Sequence, residues 1–237
     1  MILVAGVGSR LRPITDDRPK ALVDLGGETI LGRAVRLLAE YGVRKVVLAT
    51  GYREDAVEHA MRDAPLLVEY CKNPAFDRTQ NSVSLNLCRD SVGSDAFFKL
   101  DGDLVFQRQV LERLDASAAD LAVAVDAGRM LDAEAMKVSA VGNRISAFGK
   151  GIALDASAGE SIGIERVAAR LTRSLFAALE RVIAGGETGL YYEDIYSRLI
   201  AAGRLEAEAV AVADLGWTEV DDFSDLERAR ELVRSLA

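Results

Sequence analysis

The chain has 237 residues, 50% of them hydrophobic, with 29 Lys and Arg against 37 Asp and Glu, for a formal charge of -8. That much apolar material can bury a substantial core and excludes a disordered chain, while the negative balance excludes a non-specific grip on nucleic acid or anionic membrane, since both act through net attraction. No apolar stretch approaches the ~20 residues of a membrane helix, no basic segment precedes a long apolar run at the start, and Cys71 and Cys88 form no CxxC pair, so a soluble cytoplasmic protein with idle thiols is expected.

Apolar runs of strand length alternate with stretches whose apolar residues recur at three and four, which predicts a βαβ sheet covered by helices. MILVAG reads as a short first strand, TILGRAVRLLAEYG as a helix ended by glycine, RKVVLATGY as a second strand and REDAVEHAMRDA as a surface helix carrying the sole histidine, His59. PLLVEYCKNP is a third, less regular strand, and NSVSLNLCRDS a helix capped by Asn or Ser; DAFFKLDGDLVF is a strand running into a carboxylate cluster. ADLAVAVDAG gives another strand, MKVSAVGNRISAFGK a hairpin turning at Gly142 and Asn143, and AGESIGIERV a further strand. Two helices, TRSLFAALERVIAGG and YYEDIYSRLIAAG, precede the strand EAEAVAVADLGWTEVDD and a last helix, SDLERARELVRSLA, with Ser224 as its expected cap.

In a parallel sheet the ligand crevice lies outside the carboxyl ends of the strands, where the first βα loop can aim backbone N–H groups at phosphate. Gly6 and Gly8 fall there. A dinucleotide fingerprint would need glycine where Leu11 stands, and the GxxxxGK-Ser/Thr of a P-loop is absent. What remains is GxGSRLRP followed by RPKAL, a loop stiffened by Pro13 and Pro19 that presents Arg10, Arg12, Arg18 and Lys20. Two or more of these cations suit phosphate oxygens, arginine as a planar fork and lysine as a point charge; Arg12 and Arg18 taken singly read equally well as solvated.

GVGSRLRPITDDRPKAL resembles the signature of the nucleotidyltransferases that make nucleoside-diphosphate sugars and alcohols, the pyrophosphorylase type. The resemblance implies a loop around the triphosphate built from Val4, Ala5, Gly6, Gly8, Ser9 and Arg10, with Arg10 assisting the pyrophosphate and Lys20 at the phosphoryl group under attack, the two catalytic residues. KLDGDLVF ends a strand with Asp101 and Asp103; the family likeness implies a metal at Asp103, and nucleotide contact or loop ordering at Asp101. GWTEVDDFSDLERA places Glu219 and Asp221 two apart, on one face if extended, which suits a shared cation. Relatives of choline-phosphate cytidylyltransferase have a similar W-x-E-I-D ending, with metal ligands at the matching Glu and Asp. Mg²⁺ is the cofactor expected, held by one or more carboxylates and phosphate oxygens.

Three further segments resemble that cytidylyltransferase branch: NPAFDRTQNSVSLNL, although Gln80 stands where an asparagine is common, GESIGI, and YYEDIYSRLI. They imply base and ribose contacts at Gln80, Asn81 and Ser84. Lys150, in FGKGI, matches a lysine that binds acceptor phosphate in related enzymes, and Glu160 suits an acceptor hydroxyl. An amine on the acceptor would want aromatic faces and a carboxylate, which Tyr191, Tyr192, Glu193, Asp194 and Trp217 offer; the same run reads equally as tyrosines in a core and an exposed helix start.

The resemblance implies a single α/β nucleotidyltransferase domain over 1–237: a Rossmann-like mixed, mostly parallel sheet with helices on both faces and a small β-hairpin insertion. About 1–120 would be its nucleotide-binding half and about 121–237 its acceptor-binding half. The expected reaction is Mg²⁺-dependent nucleotidylyl transfer from an NTP, CTP foremost, to a small phosphorylated alcohol or phosphonate such as phosphocholine, releasing pyrophosphate. The alternatives are a sugar-1-phosphate or inositol-phosphate nucleotidyltransferase using UTP, GTP, dTTP or CTP, and an inactive nucleotide-sensing subunit, against which the intact Arg10, Lys20, Asp103, Glu219 and Asp221 weigh. The partners expected are these small molecules, without nucleic acid or membrane insertion, and a homo-oligomer stays open.

Overall fold

The computed structural model describes residues 1–236. Its elements follow in chain order. The first half holds β1 (Ile2–Leu3), α1 (Ile30–Tyr41), β2 (Lys45–Thr50), α2 (Glu54–Ala60), β3 (Leu67–Lys72), α3 (Asn81–Leu87), α4 (Arg89–Val92), β4 (Phe97–Asp101), β5 (Leu104–Phe106) and α5 (Gln109–Asp115). The second holds β6 (Leu121–Asp126), β7 (Lys137–Val141), β8 (Arg144–Gly149), β9 (Gly159–Val167), α6 (Ala169–Ala184), α7 (Tyr192–Ala201), β10 (Ala207–Ala211), β11 (Trp217–Glu219) and α8 (Phe223–Ser235).

Strands alternate their burial as a two-sided sheet requires. Val46 and Leu48 of β2 pack on one face with Leu31, Val35 and Leu38 of α1 and Val110 and Leu114 of α5. Val47 and Ala49 pack on the other with Leu85 of α3, Leu171 and Leu175 of α6 and Ile195 of α7. Helices therefore cover both faces. A smaller apolar cluster joins Leu11, Val23 and Val105 to Leu226 and Ala229 of α8, and this contact fastens the C-terminal helix against the N-terminal loop.

The main sheet runs in the order β3-β2-β1-β4-β9-β6-β10-β8-β7, and β7 also pairs with β9, closing the second half into a ring. The expectation of a mostly parallel sheet needs correction. Only β8 and β9 run against the other strands of this sheet, but each lies between strands of the common direction. β9 thus makes antiparallel pairs with β4, β6 and β7, and β8 with β10 and β7. Parallel pairs are confined to β3-β2-β1-β4 and β6-β10. Nothing in a period-two apolar pattern carries strand direction, so the reversal was invisible in the sequence.

The hairpin turns at Gly142 and Asn143 as the sequence indicated. The run EAEAVAVADLGWTEVDD, by contrast, breaks into β10 and β11, and β11 leaves the main sheet to pair with β5. Ser224 is not the cap of the last helix: Asp222 is, its carboxylate accepting from the N–H groups of Ser224 and Asp225. Among the described residues no helix is long and apolar enough to cross a membrane.

Candidate active site

β1 ends at Leu3, level with Ala49 of β2 and Asp101 of β4, and the chain leaves the sheet there as the glycine loop. Gly8 adopts the left-handed conformation at φ 74, and a Cβ on it would lie 2.6 Å from Lys20 Cβ, so only glycine lets the loop close over that lysine. The Thr15 hydroxyl, donating to the Gly8 carbonyl at 2.8 Å, holds the closure. Lys20, its side chain 16% exposed, extends Nζ to 2.6 Å from Asp103 Oδ2 and 2.7 Å from Asp221 Oδ1. Burial works against its charge, yet the two carboxylates outweigh that and hold the ammonium above the ordinary lysine range. Arg10 Nη2 donates to Asp221 Oδ2 at 2.8 Å while the rest of its side chain stays open to solvent. Arg12 and Arg18 turn away to Asp16 and Asp17 and are exposed, so the solvated reading holds for these two.

The acidic side of the site is assembled from distant segments. The β5–β11 ladder sets Glu219 opposite Leu104, and the Val220 N–H donates to the Asp103 carbonyl at 2.9 Å. Gly102 makes the turn into this ladder possible: a Cβ there would run into the Leu3 carbonyl and sit 2.7 Å from Val4 Cγ1. Asp225 of α8 accepts from the N–H groups of Asp221 and Asp222 and fixes the far end. The result brings carboxylate oxygens of Asp103, Glu219 and Asp221 within 4.8 Å of one another. Loss of solvation, then repulsion from Asp103 and Asp221, pushes the Glu219 carboxyl up to about 8. Asp103 Oδ1 is buried and has no hydrogen-bond partner among the described residues. A set of hard carboxylate oxygens with one buried oxygen still unpartnered fits a divalent cation of the Mg²⁺ class.

These groups open onto one cavity of about 490 Å³. Val4, Ala5, Gly6, Gly8 and Ser9 line one wall beside Arg10 and Lys20, and Gln80, Asn81 and Ser84 line the next, at the start of α3. Asp101, Asp103, Glu219 and Asp221 form the floor, while Lys150, Glu160, Tyr191, Glu193 and Trp217 close the other end. β9 runs antiparallel past the end of β4, with Ile164 opposite Leu100, so its first residues overhang the cavity. Asn81 Oδ1 accepts from the Tyr192 N–H at 3.0 Å, tying α3 to the start of α7 across the opening.

Two residues expected at the acceptor end do not reach it. Tyr192 is fully buried behind the wall, its hydroxyl donating to Asp101 Oδ2 at 3.0 Å. Asp194 caps its own helix by accepting from the Tyr191 N–H at 2.8 Å. Trp217 does line the cavity, but its Nε1 donates to the buried Asp126 at 2.7 Å and Arg129 lies over its ring.

The sequence reading missed the group behind Tyr192. Lys99, fully buried in β4, has Nζ 2.9 Å from Asp101 Oδ1, 3.3 Å from Glu165 Oε2 and 3.4 Å from the Tyr192 ring centroid. Burial opposes its charge, but Asp101, Glu165 and Glu193 together keep the ammonium above the usual range. Burial likewise pushes the carboxyls of Glu165 up to about 7 and Glu193 up to about 8, against the pull of Lys99. Both Asp101 oxygens are engaged inside this group, which favours the loop-ordering half of its expected role. A lone lysine between Phe98 and Leu100 in an apolar strand was the available signal.

An anion loop and an acidic floor on one rim of an α/β sheet are the working parts of a nucleotidyltransferase. Residues 1–202 match the MobA-like NTP transferase domain, and the chain belongs to that family. It is 34% identical over 243 residues to the CMP-5'-(3-aminopropyl)phosphonate synthase of Streptomyces rubellomurinus, covering 97% of this chain and 38% of that protein. It is 25% identical over 250 residues to the CTP:phosphoglutamine cytidylyltransferase of Campylobacter jejuni, covering 96% of this chain and 97% of that one. The chain thus spans well under half of the first relative and nearly all of the second. Its fold is that of the inositol-1-phosphate CTP transferase from T. maritima, with a TM-score of 0.83 at 23% identity over 100% of this chain and 96% of that one. The CTP:phosphocholine cytidylyltransferase from Streptococcus pneumoniae shares it too, with a TM-score of 0.76 at 18% identity over 98% and 97%.

Proposed function

We propose that this chain transfers a cytidylyl group from CTP to a small phosphorylated alcohol or phosphonate and releases pyrophosphate. The observation that carries the reading is the meeting of Lys20 and Arg10 with Asp103, Glu219 and Asp221 on a single cavity. CTP is favoured because the two curated relatives named above are a CMP-phosphonate synthase and a CTP-dependent cytidylyltransferase. On this reading residues 1–237 act as one domain, about 1–120 holding the nucleotide and about 121–237 the acceptor.

An oxygen of the acceptor phosphate or phosphonate attacks the α-phosphorus; the bond from that phosphorus to the bridging oxygen of the β-phosphate breaks, and pyrophosphate carries the electron pair away. The nucleophile is already an anion near neutral pH, so no general base is required, and the single histidine, His59, is exposed on α2. The glycine loop offers backbone N–H groups to the triphosphate, Lys20 sits where charge accumulates on the phosphoryl group under attack, and Arg10 reaches the departing pyrophosphate. Asp103, Glu219 and Asp221 would hold Mg²⁺. When bound, that ion neutralises charge on the α-phosphate and the leaving group. On this reading Gln80, Asn81 and Ser84, which line the cavity, read base and ribose, and Lys150, which also lines it, meets the acceptor phosphate.

The test is a matrix of CTP, UTP, GTP, dTTP and ATP against phosphoalcohols, phosphonates and sugar phosphates, with Mg²⁺ and pyrophosphate as the readout. CTP with a phosphoalcohol or phosphonate gives the highest rate. A higher rate with a sugar phosphate and UTP or dTTP would replace this acceptor and donor, and no pyrophosphate from any pair would reject the transfer itself.

A further inference from the structure

The two cysteines, expected to be idle, meet at the outer edge of the sheet. Cys71 stands on β3, the outermost strand, opposite Ala49 of β2, and is half-buried. Cys88 lies where α3 passes into α4 and is fully buried. Cys71 Sγ donates to Ser91 Oγ at 3.5 Å, and Ser91 follows Cys88 by three along α4, a spacing that turns both toward the strand. There the two thiols are hydrogen-bonded to each other.

A hydroperoxide reacts with a thiolate, and a partly exposed thiol that ionises readily beside a second thiol is the arrangement of an oxidisable pair. The hydrogen bond from Cys88 brings the Cys71 thiol down to about 6, against burial and, more weakly, the carboxylates of Glu69 and Asp90; Ser91 adds to the lowering. Cys88, bonded to Cys71 and buried, is pushed above the ordinary thiol range and keeps its proton. The two sulfurs are therefore unlike: one ionised and reachable, the other protonated and enclosed.

We propose that Cys71 is an oxidation site for hydroperoxides and that Cys88 resolves it into a disulfide. The Cys71 thiolate attacks one peroxide oxygen; the O–O bond breaks, a sulfenic acid forms, and the departing oxygen leaves as water after taking up a proton. Cys88 sulfur then attacks Cys71 sulfur, the S–O bond breaks, and the Cys88 proton leaves with the hydroxyl as a second water. Two thiols are oxidised and one peroxide is reduced. The new bond ties β3 to the end of α3, whose other end carries Asn81 and Ser84 to the cavity. Cys88 Sγ lies 3.5 Å from the Ser84 carbonyl, and Asn73, just past β3, donates to Ser84 Oγ at 3.0 Å. Closing the disulfide withdraws Cys88 from Ser84 and disturbs that wall. Resting on the nucleotide reading above, it weakens CTP binding.

The full chain is treated with hydrogen peroxide at neutral pH, alkylated and digested with trypsin, for which Lys72 and Arg78 separate the two cysteines. A peptide pair joined through Cys71 and Cys88 appears, the intact mass falls by two hydrogens, and dithiothreitol returns both thiols. Cys88→Ser leaves Cys71 as a sulfenic acid that dimedone labels, and Cys71→Ser leaves Cys88 unreactive. If either variant folds poorly, the peptides of the unaltered protein decide alone. Thiols that survive peroxide, or an oxidised Cys71 without the joined pair, overturn the site. Calorimetry with CTP and Mg²⁺ then compares the two forms, and the disulfide form binds about fivefold or more weakly, as loss of a hydrogen bond implies. Equal affinity overturns the link to the cavity and leaves the thiol pair standing. No binding to either form defeats the nucleotide reading and that link with it, while the joined peptides still decide the pair.

Discussion

Lys20 and Asp221 stand 201 residues apart in the chain, yet Lys20 Nζ lies 2.7 Å from Asp221 Oδ1. The contact joins the N-terminal glycine loop to the acidic segment before the last helix. Each side is braced independently, by Gly8 packed on Lys20 and by Asp225 capping behind Asp221.

Lys20→Ala lowers kcat for pyrophosphate release by about 10²- to 10³-fold, the loss seen when one preorganised charge contact to a transition state is removed. Steady-state kinetics at saturating CTP measures it. Near-full activity in this variant would remove Lys20 from the catalytic machinery.

On the proposed transfer reading, activity requires a divalent cation. Chelation with EDTA stops turnover and added Mg²⁺ restores it, and Asp103→Asn or Glu219→Gln raises the Mg²⁺ concentration needed for half-maximal rate on the order of tenfold or more. Unchanged metal titrations in both variants would move the ion elsewhere.

Lys99→Met destabilises the fold by about 3–5 kcal/mol, because it leaves Asp101, Glu165 and Glu193 close together without their shared ammonium. Glu165→Gln added to it recovers part of the loss. Urea denaturation of the single and double variants measures the coupling, and additive effects would show that the pair is not linked.

The contribution of Glu165 and Glu193 to stability falls as pH rises from about 5 to about 8. Glu165 and Glu193 are pushed up to about 7 and about 8 from the ordinary glutamate value of 4.5. Between those limits the folded chain keeps protons that the unfolded chain has released, so their contribution is full below 4.5 and is lost as pH passes through the folded values. The slope is on the order of 1 kcal/mol per pH unit for each such proton. Glu165→Gln removes part of this pH dependence; a variant whose denaturation midpoint follows pH just as that of the unaltered protein does would contradict the assignment.

The chemistry of the site was more legible in the sequence than its enclosure. Gly8, Lys20, Asp103, Glu219 and Asp221 sit in segments that resemble the family's signature runs, and the structure gathers them. Tyr191 and Tyr192 are adjacent and identical in type, so only the starting point of α7 decides that one meets the cavity and the other seals the wall. Asp225 follows Asp222 by three, the spacing of a capping box, and could have placed that cap; Tyr191 carries no such signal, so the cap at Asp194 was not legible. Glu165 gave less warning, since a glutamate in a strand of ordinary alternation faces solvent, and only the layer of α7 over β4 and β9 buries it.

Because β9 overhangs the end of β4, its opening residues are held by β6 and β7, with Glu160 opposite both Asp126 and Lys137. Substitution at Glu160 or Ser161, or a longer connection across 127–136, would therefore reshape one wall while the ladder of β1 to β4 keeps its register. On the proposed transfer reading, a lineage built on this scaffold can exchange the cargo it accepts and retain the same activated donor.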